Sequence, residues 1–331
     1  MSEPQAAATA PAGPSPGGRF RPDLRVTPFS AFLVLAIATV VFAALTTQGF
    51  LTVANLKAIL FSGSFVGIAA VGTTVIMLNG NLFSLSLGTT ISVGAITFLA
   101  GLRYGLAVSI VLTLLLGAAI FAAQGAIVGI FDANPIIVSI AAGAIQTGLV
   151  TLLTSGTQVV ASGTGAFYQT LGGSVLGIPF SFYVLVGFTI VTAFVLDGTA
   201  FGRALYLTGE NRRAARSAGL RIWLVTVGAF AVAGFAAATA GIVLGAFNGT
   251  ATLSIGGTYT YDAVAAALVG GNAIQGGRGS VWRAFFGAFF IASVTNLLLL
   301  RGYSTGVQIL VEGIAVVIAV VAVQIAARVT R

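Results

Sequence analysis

The 331-residue sequence contains no cysteine, no histidine and a single lysine, and only 7% of its residues are charged. Without cysteine there is no disulfide bond or thiolate chemistry, and without histidine the usual ligands of transition metals are missing. Any mechanism must therefore rely on carboxylates, amides, hydroxyls and the backbone. A soluble domain carries about 25% charged residues, so the scarcity of charge also argues against a soluble fold.

Hydrophobic residues make up 57% of the sequence, and many of them stand in long apolar runs. The run "FSAFLVLAIATVVFAAL" (29–45) shows no alternating polarity, which argues against a membrane β-barrel. Such runs are long enough to cross a hydrocarbon core of about 30 Å. The sequence predicts an all-α polytopic membrane protein with about ten spans, at residues 28–46, 62–78, 85–101, 105–131, 135–154, 179–196, 222–246, 261–275, 284–300 and 306–326.

The distribution of charge and proline predicts the topology. Residues 1–27 hold five of the eight prolines and no apolar periodicity, which predicts a disordered cytoplasmic tail before a transmembrane domain of residues 28–327. The net charge of +8 lies mostly at the ends of apolar runs, and five arginines fall in the cytoplasmic segment 197–221. Because basic residues accumulate on the cytoplasmic side, both termini are predicted to be cytoplasmic, and the charge needs no nucleic-acid partner.

Two stretches interrupt the helical pattern with polar residues and glycine at membrane depth: "MLNGNLFSLSLG" (77–88) and "LVGGNAIQGGRGS" (268–280). Lipid does not satisfy the backbone groups that such breaks expose, so protein or a watery cavity must cover them. Glycine-interrupted spans indicate a transport pathway, although for 276–280 a tight turn between two helices is the favoured interpretation. The candidate pathway residues are Asn79, Asn81, Ser84, Ser86, Asn272 and Gln275. The alternative is that these side chains only bond neighbouring helices together.

The segment "GRALYLTGENRRAARSAGLR" (202–221) predicts a short cytoplasmic helix over 209–218. Thr208 is the expected N-cap, Glu210 lies in the first turn, and Gly219 is expected to end the helix in a Schellman turn. A helix this short is marginal in water, and Arg212 and Arg216 repel each other at i,i+4. Lipid head groups or a cytoplasmic partner must therefore support it.

Within this segment, "NRRAARSAGL" resembles the coupling segment of ABC importer permeases, which reads Glu-Ala-Ala, three residues, Gly. Ala214, Ala215 and Gly219 match, and Arg213 stands where the Glu would be. Residues 201–220, "GGSVLGIPFSFY" (172–183) and 261–300 are similar to the ribose-type sugar permeases, and the likeness covers most of 50–325. One departure is Ser84, which stands where those permeases carry an acid before Leu85, Ser86 and Gly88.

The resemblance implies the membrane subunit of a binding-protein-dependent ABC importer in a bacterial inner membrane. It implies partner ATPases that bind ATP and Mg²⁺, a periplasmic or lipoprotein solute-binding protein, and a second permease copy in a homodimer or heterodimer. The implied solute is a sugar or sugar-like molecule, moved by alternating access, with a nucleoside or another small solute as the alternative. The implied ATPase-coupling residues are Gly209, Glu210, Asn211, Arg212, Arg213, Ala214, Ala215, Arg216 and Gly219.

Two other classes of membrane protein are alternatives to the importer. An ion-coupled transporter or channel commonly keeps ionisable groups in its spans, and the candidates here are Asp132, Asp197, Asp262 and Glu312. An intramembrane enzyme would need paired carboxylates at catalytic spacing, which the sequence lacks. The sequence has no phosphate-binding Gly-x4-Gly-Lys-Ser/Thr motif, so ATP is expected on another chain.

Overall fold

The computed structural model describes residues 28–161, 171 and 173–329, and the predicted tail of residues 1–27 lies outside them. The described chain is built almost entirely of helices, which overlap every predicted span. They are α1 (Pro28–Thr46), α2 (Val53–Leu78), α3 (Leu87–Gly101), α4 (Leu106–Phe131), α5 (Pro135–Thr154), α6 (Phe180–Gly198), α7 (Ala200–Glu210), α8 (Arg212–Ser217), α9 (Ile222–Asn248), α10 (Tyr259–Val269), α11 (Val281–Leu300) and α12 (Thr305–Val329).

The helical fold class is confirmed, whereas the count of ten spans stays a prediction. Within the described residues, six helices are long and apolar enough to cross a membrane: α2, α4, α5, α6, α9 and α11. Shorter apolar helices cover Ala36–Thr46 and Thr305–Ile318. The structure thus supports a polytopic membrane protein with at least these six crossings.

Two predicted span boundaries are wrong by about two turns. The second span was expected to begin at residue 62, but α2 begins at Val53, where the Thr52 hydroxyl accepts a bond from the Asn55 N–H (3.4 Å). The span expected over 261–275 ends early, because α10 stops at Val269 and Gly271 takes a left-handed φ of 89°. Helix caps and positive-φ glycines, rather than hydropathy, decide these ends.

Helices α2 and α9 form the centre of the bundle, and α9 packs against α2, α3 and α4. Their contacts use small residues: a Cβ built at Gly72 would overlap that of Ala236, and one at Gly234 would overlap the carbonyl oxygen of Gly117. Without side chains at these points the helix backbones approach closely, which is how membrane helices gain packing energy. These glycines therefore hold the core together.

Lipid exposure is concentrated on α4 and α5. Only 22% of the apolar window of α4 and 17% of that of α5 is buried, compared with 83% for α2 and 72% for α9. Helix α4 also has the highest mean hydropathy of the six spans, 2.6. Since the surrounding solvent is lipid, an apolar helix surface here is the expected outer wall of the bundle.

The two long connectors between spans contact each other. Strand β1 (Val159–Val160) pairs antiparallel with β4 (Thr250–Ala251), while β2 (Ser174–Val175) pairs with β3 (Ile178–Pro179) in a hairpin. Residues 162–170 and 172 of the first connector lie outside the described residues.

Candidate functional site

The arginine-rich segment forms two helices instead of the single helix expected over 209–218. Helix α7 runs to Glu210, the chain breaks at Asn211, and α8 begins at Arg212. The Asn211 side chain caps α8 by accepting bonds from the N–H groups of Arg213 and Ala214, both 3.1 Å. The expectations for Thr208 and Glu210 are therefore wrong, because both lie in the last turn of α7.

The predicted Schellman turn at the end of the segment is confirmed. Gly219 has a φ of 80°, and its N–H donates to the carbonyl of Arg216 (3.0 Å). The N–H of Leu220 reaches back to the carbonyl of Ala215 (3.1 Å). These are the two bonds that define the motif, and the left-handed backbone explains why glycine stands there.

Asp132 supports α8, a partner that the sequence analysis did not connect to it. Its carboxylate lies 3.3 Å from the guanidinium of Arg212 and 3.7 Å from that of Arg216. Asp132 is the C-cap of α4, in the left-handed region with a φ of 50°. One acid placed between the two arginines offsets their repulsion and ties α8 to the end of a spanning helix.

Both chain breaks meet the arginine-rich segment at a single point, the glycine junction, formed by Gly80, Gly209, Gly276 and Gly277. A Cβ at Gly80 would lie 3.1 Å from the Cα of Gly209, and one at Gly209 would overlap the carbonyl oxygen of Leu78. The N–H of Gly277 donates to that same carbonyl (3.0 Å). No side chain separates the three segments, so a displacement of α7 is passed directly to both breaks.

Tyr206 adds a further contact between α7 and the second break. Its hydroxyl donates to the carbonyl of Gly279 (3.4 Å). Burial, and then the negative charge of Asp197, raises the pKa of this hydroxyl above its usual value of 10.0, while Arg283 acts in the opposite direction. The phenol therefore stays protonated and able to donate at physiological pH.

The first break is held by side chains from α4 and α5. The hydroxyls of Ser84 and Ser86 lie 2.9 Å apart, and they donate to Oε1 of Gln124 at 3.2 and 3.1 Å. We call these three residues the serine–glutamine cluster. The N–H of Leu85 donates to the hydroxyl of Ser139 on α5 (3.0 Å). Two predicted pathway residues are thus brought together, whereas Gln124 and Ser139 were missed.

The asparagines of the two breaks have separate surroundings. Nδ2 of Asn79 donates to the Thr226 hydroxyl on α9 (3.1 Å), and Asn81 is buried with 5% of its surface exposed. Asn272 ties the second break to itself and to α2, since its Oδ1 accepts from the Ser280 N–H (2.8 Å) and its Nδ2 donates to the Thr74 hydroxyl (3.4 Å). Gln275 is exposed. The predicted pathway residues therefore do not form one cluster.

Two cavities lie elsewhere in the chain. One, of about 450 Å³, lies between the end of α4 and the turn after α8 and is lined by Arg216, Arg221 and Trp223. The other, of about 700 Å³, is an apolar groove between α4, α6 and α9. Neither is lined by a predicted pathway residue. No three acidic side chains among the described residues come together to hold a metal ion.

Comparison with known proteins identifies the type of molecule. Residues 55–323 match the family described as the permease component of branched-chain amino acid transport systems. The ribose import permease protein RbsC of Bacillus subtilis (strain 168) is 32% identical over 305 residues, covering 89% of this chain and 91% of the relative. The autoinducer 2 import system permease protein LsrC of Salmonella typhi is 30% identical over 274 residues, covering 82% and 78%.

A third relative, the probable ABC transporter permease protein YphD of Escherichia coli (strain K12), is 29% identical over 292 residues and covers 88% of this chain and 87% of its own. No solved structure matches the chain. The relatives that match over most of their length are permeases, in agreement with the spans and the absence of a nucleotide-binding motif. The chain belongs to this family of inner-membrane transport permeases.

Proposed function

We propose that the chain is the membrane-spanning subunit of a binding-protein-dependent ABC importer, and that it moves a sugar or sugar-like solute by alternating access. ATP and Mg²⁺ bind a separate ATPase subunit. Relatives named for ribose import and autoinducer 2 import support this class of solute. A nucleoside or another small solute is the alternative, because Ser84 cannot bind two hydroxyls as a carboxylate can.

The observation that carries the proposal is the glycine junction. It joins α7, next to the segment that resembles an ATPase-coupling helix, to both interruptions of the spanning helices. Packed backbones transmit displacement with little compression. An ATPase that pulls on α8 would therefore move both breaks together, which is the mechanical event that alternating access requires.

The proposed ATPase-docking surface is the outward face of α8 and its two ends. Asn211, Arg213, Ala214 and Arg216 are exposed there, while Ala215 is buried against the bundle and anchors the helix. Among the described residues, the ion pairs of this segment are those of Asp132 with Arg212 and Arg216, and Arg213 forms none. A basic surface of this kind fits an acidic ATPase groove.

In the assembled importer, ten spans with cytoplasmic termini would place α8 and the turn 276–280 on the ATP-binding side. A second copy of the chain, or a close relative, would complete the pathway. Helix α5, of whose apolar window only 17% is buried within this chain, leaves surface against which a second copy could pack. A solute-binding protein would deliver the solute from the opposite side.

The test is a pair of glycine-to-alanine variants, produced with the ATPase and solute-binding protein that neighbouring genes encode. In Gly209→Ala the new methyl group meets the backbone of Leu78, so the junction must open. In the control, Gly198→Ala, the methyl group meets Phe194 at an ordinary 3.5 Å. We expect Gly209→Ala to bind the ATPase and lose ATP-driven uptake, while Gly198→Ala transports normally. Wild-type uptake in Gly209→Ala would contradict the coupling role.

A further inference from the structure

Helix α5 faces the bundle with polar side chains although nearly all of its other surface is apolar. Its buried residues are Ser139, Gln146 and Val150, whereas Leu152 and Leu153 are more than 80% exposed. Polar groups at a helix interface in a membrane are held by hydrogen bonds across that interface. The seam between α3 and α5 is therefore a polar seam, and it lies beside the first break.

Two glutamine amides in this region each have one end without a partner. Gln124 is 3% exposed, and its Oε1 accepts from the two serines of the serine–glutamine cluster, but its Nε2 has no hydrogen-bond partner. Gln146 is 6% exposed, and its Oε1 accepts from the Thr90 hydroxyl (2.8 Å), but its Nε2 also has none. Leaving such a donor unpaired in a buried site is destabilising, because the group has lost its bonds to water.

The identity of residue 84 explains the free donor on Gln124. The hydroxyls of Ser84 and Ser86 both use their hydrogens on the Gln124 oxygen, and neither accepts a bond from the Gln124 amide nitrogen. A carboxylate at this position would accept the amide hydrogens instead. The two amide hydrogens of Gln124 are therefore left without the acceptor that an acid at residue 84 would have provided.

The side chains of Gln124 and Gln146 both bond to the first part of α3. Gln124 bonds to Ser86 and Gln146 bonds to Thr90, four residues later on the same helix. Four residues of α-helix rise by about 6 Å, so the two positions on α3 that bind the amides are separated by roughly the span of a monosaccharide.

The seam between α3 and α5 has room to open. A Cβ built at Gly143 of α5 would lie 3.7 Å from both the Ser86 Cβ and the Thr89 hydroxyl, an ordinary contact distance. By contrast, glycines in the central bundle leave no space for a methyl group. Helix α5 has few other buried contacts that would resist a movement away from α3.

We propose that Gln124 and Gln146 donate hydrogen bonds from their amide nitrogens to oxygen atoms of the transported solute when α5 separates from α3. This assignment rests on the proposed function and makes it more specific. The donors favour an uncharged or anionic solute that carries acceptor oxygens. No carboxylate belongs to the cluster in the described chain, so nothing in it neutralises the charge of an organic cation.

The experiment measures the maximal rate of ATP-driven uptake for radiolabelled ribose and its 2-deoxy and 3-deoxy analogues. Saturating solute is used so that the solute-binding protein is fully loaded. Gln124→Met and Gln146→Met remove one amide each at similar side-chain length. Thr113→Val is the control, because Thr113 is a buried α4 residue whose hydroxyl bonds only to its own helix, at the carbonyl of Ser109.

We expect each Gln→Met variant to lower the ribose rate about 2- to 10-fold, the value of one neutral hydrogen bond. One deoxy analogue, lacking the oxygen that the amide contacts, should be transported by that variant as by the wild type. The Thr113→Val control should keep the wild-type ratio of rates. An equal loss for all three sugars would overturn the proposal, because it would show a structural role.

Ser84→Asp supplies a second test that does not depend on removing an amide. The new carboxylate would accept the Gln124 amide hydrogens, so we expect the ratio of rates seen in Gln124→Met. An unchanged ratio in a variant that still takes up ribose would overturn the solute contact. If the wild-type importer transports none of the three sugars, both the proposed sugar class and this inference are wrong. If ribose uptake persists but the ratios of rates do not change as expected, only this inference is wrong.

Discussion

The Schellman turn at Gly219 offers the sharpest test of ATPase docking. In Gly219→Val, space is not limiting, because nothing lies within 4 Å of the position that a Cβ would take. The backbone is limiting, since a φ of 80° costs a residue with a Cβ about 1–2 kcal/mol, and a β-branched residue more. If the backbone escapes from this region, the two bonds of the turn are lost, at about 0.5–1.5 kcal/mol each.

These magnitudes matter because α8 has only six residues and is marginal alone. A penalty of about 2 kcal/mol lowers the population of the docking-competent form, and with it the apparent affinity for the ATPase, by up to roughly 30-fold. We therefore expect Gly219→Val to insert into the membrane normally but to lose ATPase co-purification and ATP-driven uptake.

Gly302→Val is the matched control. Gly302 has a φ of 77°, again with nothing within 4 Å, but it follows α11 and is far from the arginine-rich segment in sequence. Both variants should lose similar thermal stability, and only Gly219→Val should lose the ATPase. Normal uptake by Gly219→Val, or equal loss of ATPase binding in both variants, would refute the reasoning.

Three further outcomes are expected. Asn81→Leu should lower transport while expression and ATPase co-purification persist; unchanged uptake would remove Asn81 from the pathway. Asp132→Asn should cost at most about 1 kcal/mol of stability per exposed ion pair. It should also weaken ATPase binding at low salt, because Arg212 loses its acidic partner; unchanged ATPase binding in this variant would contradict that role. Tyr206→Phe should lower the free energy of unfolding by about 0.5–1.5 kcal/mol, measured by denaturation. Because the folded pKa of this tyrosine is raised, its contribution should be constant between pH 6 and 9 and decline above about pH 10, where the unfolded phenol ionises; a decline below pH 9 would contradict this.

Hydropathy predicted the helices because a run of apolar residues is stable in lipid as a helix whatever the rest of the chain does. The glycine and asparagine content of 77–88 and 268–280 predicted both breaks. The helix start at 209 was wrong for a different reason. Thr208 and Asn211 are both good caps, but α7 continues through Thr208, where Gly209 packs against Leu78, a residue 131 positions earlier in the sequence. Nothing local distinguishes the two.

The missed residues share a position inside regular helices. The predicted pathway residues all lie where the helical pattern breaks, whereas Gln124 and Gln146 lie within uninterrupted apolar helices. A lone amide in a spanning segment was the available signal, because lipid makes such a residue costly unless it faces protein. Asp132 was noticed as an ionisable group, but its pairing with Arg212 joins segments that no sequence pattern connects.

The glycine junction also sets a constraint on how the chain is made. Gly80 leaves the ribosome long before Gly276, and at about 5–20 residues per second the roughly 200 residues between them take roughly 10–40 s to synthesise. During most of that time the end of α2 has neither of the segments that close around it, because Gly209 is itself made about 130 residues after Gly80. The junction is therefore completed late in biogenesis, and a chain that stops before residue 270 would leave the ends of α2 and α7 without the contact that Gly276 and Gly277 supply in the mature protein.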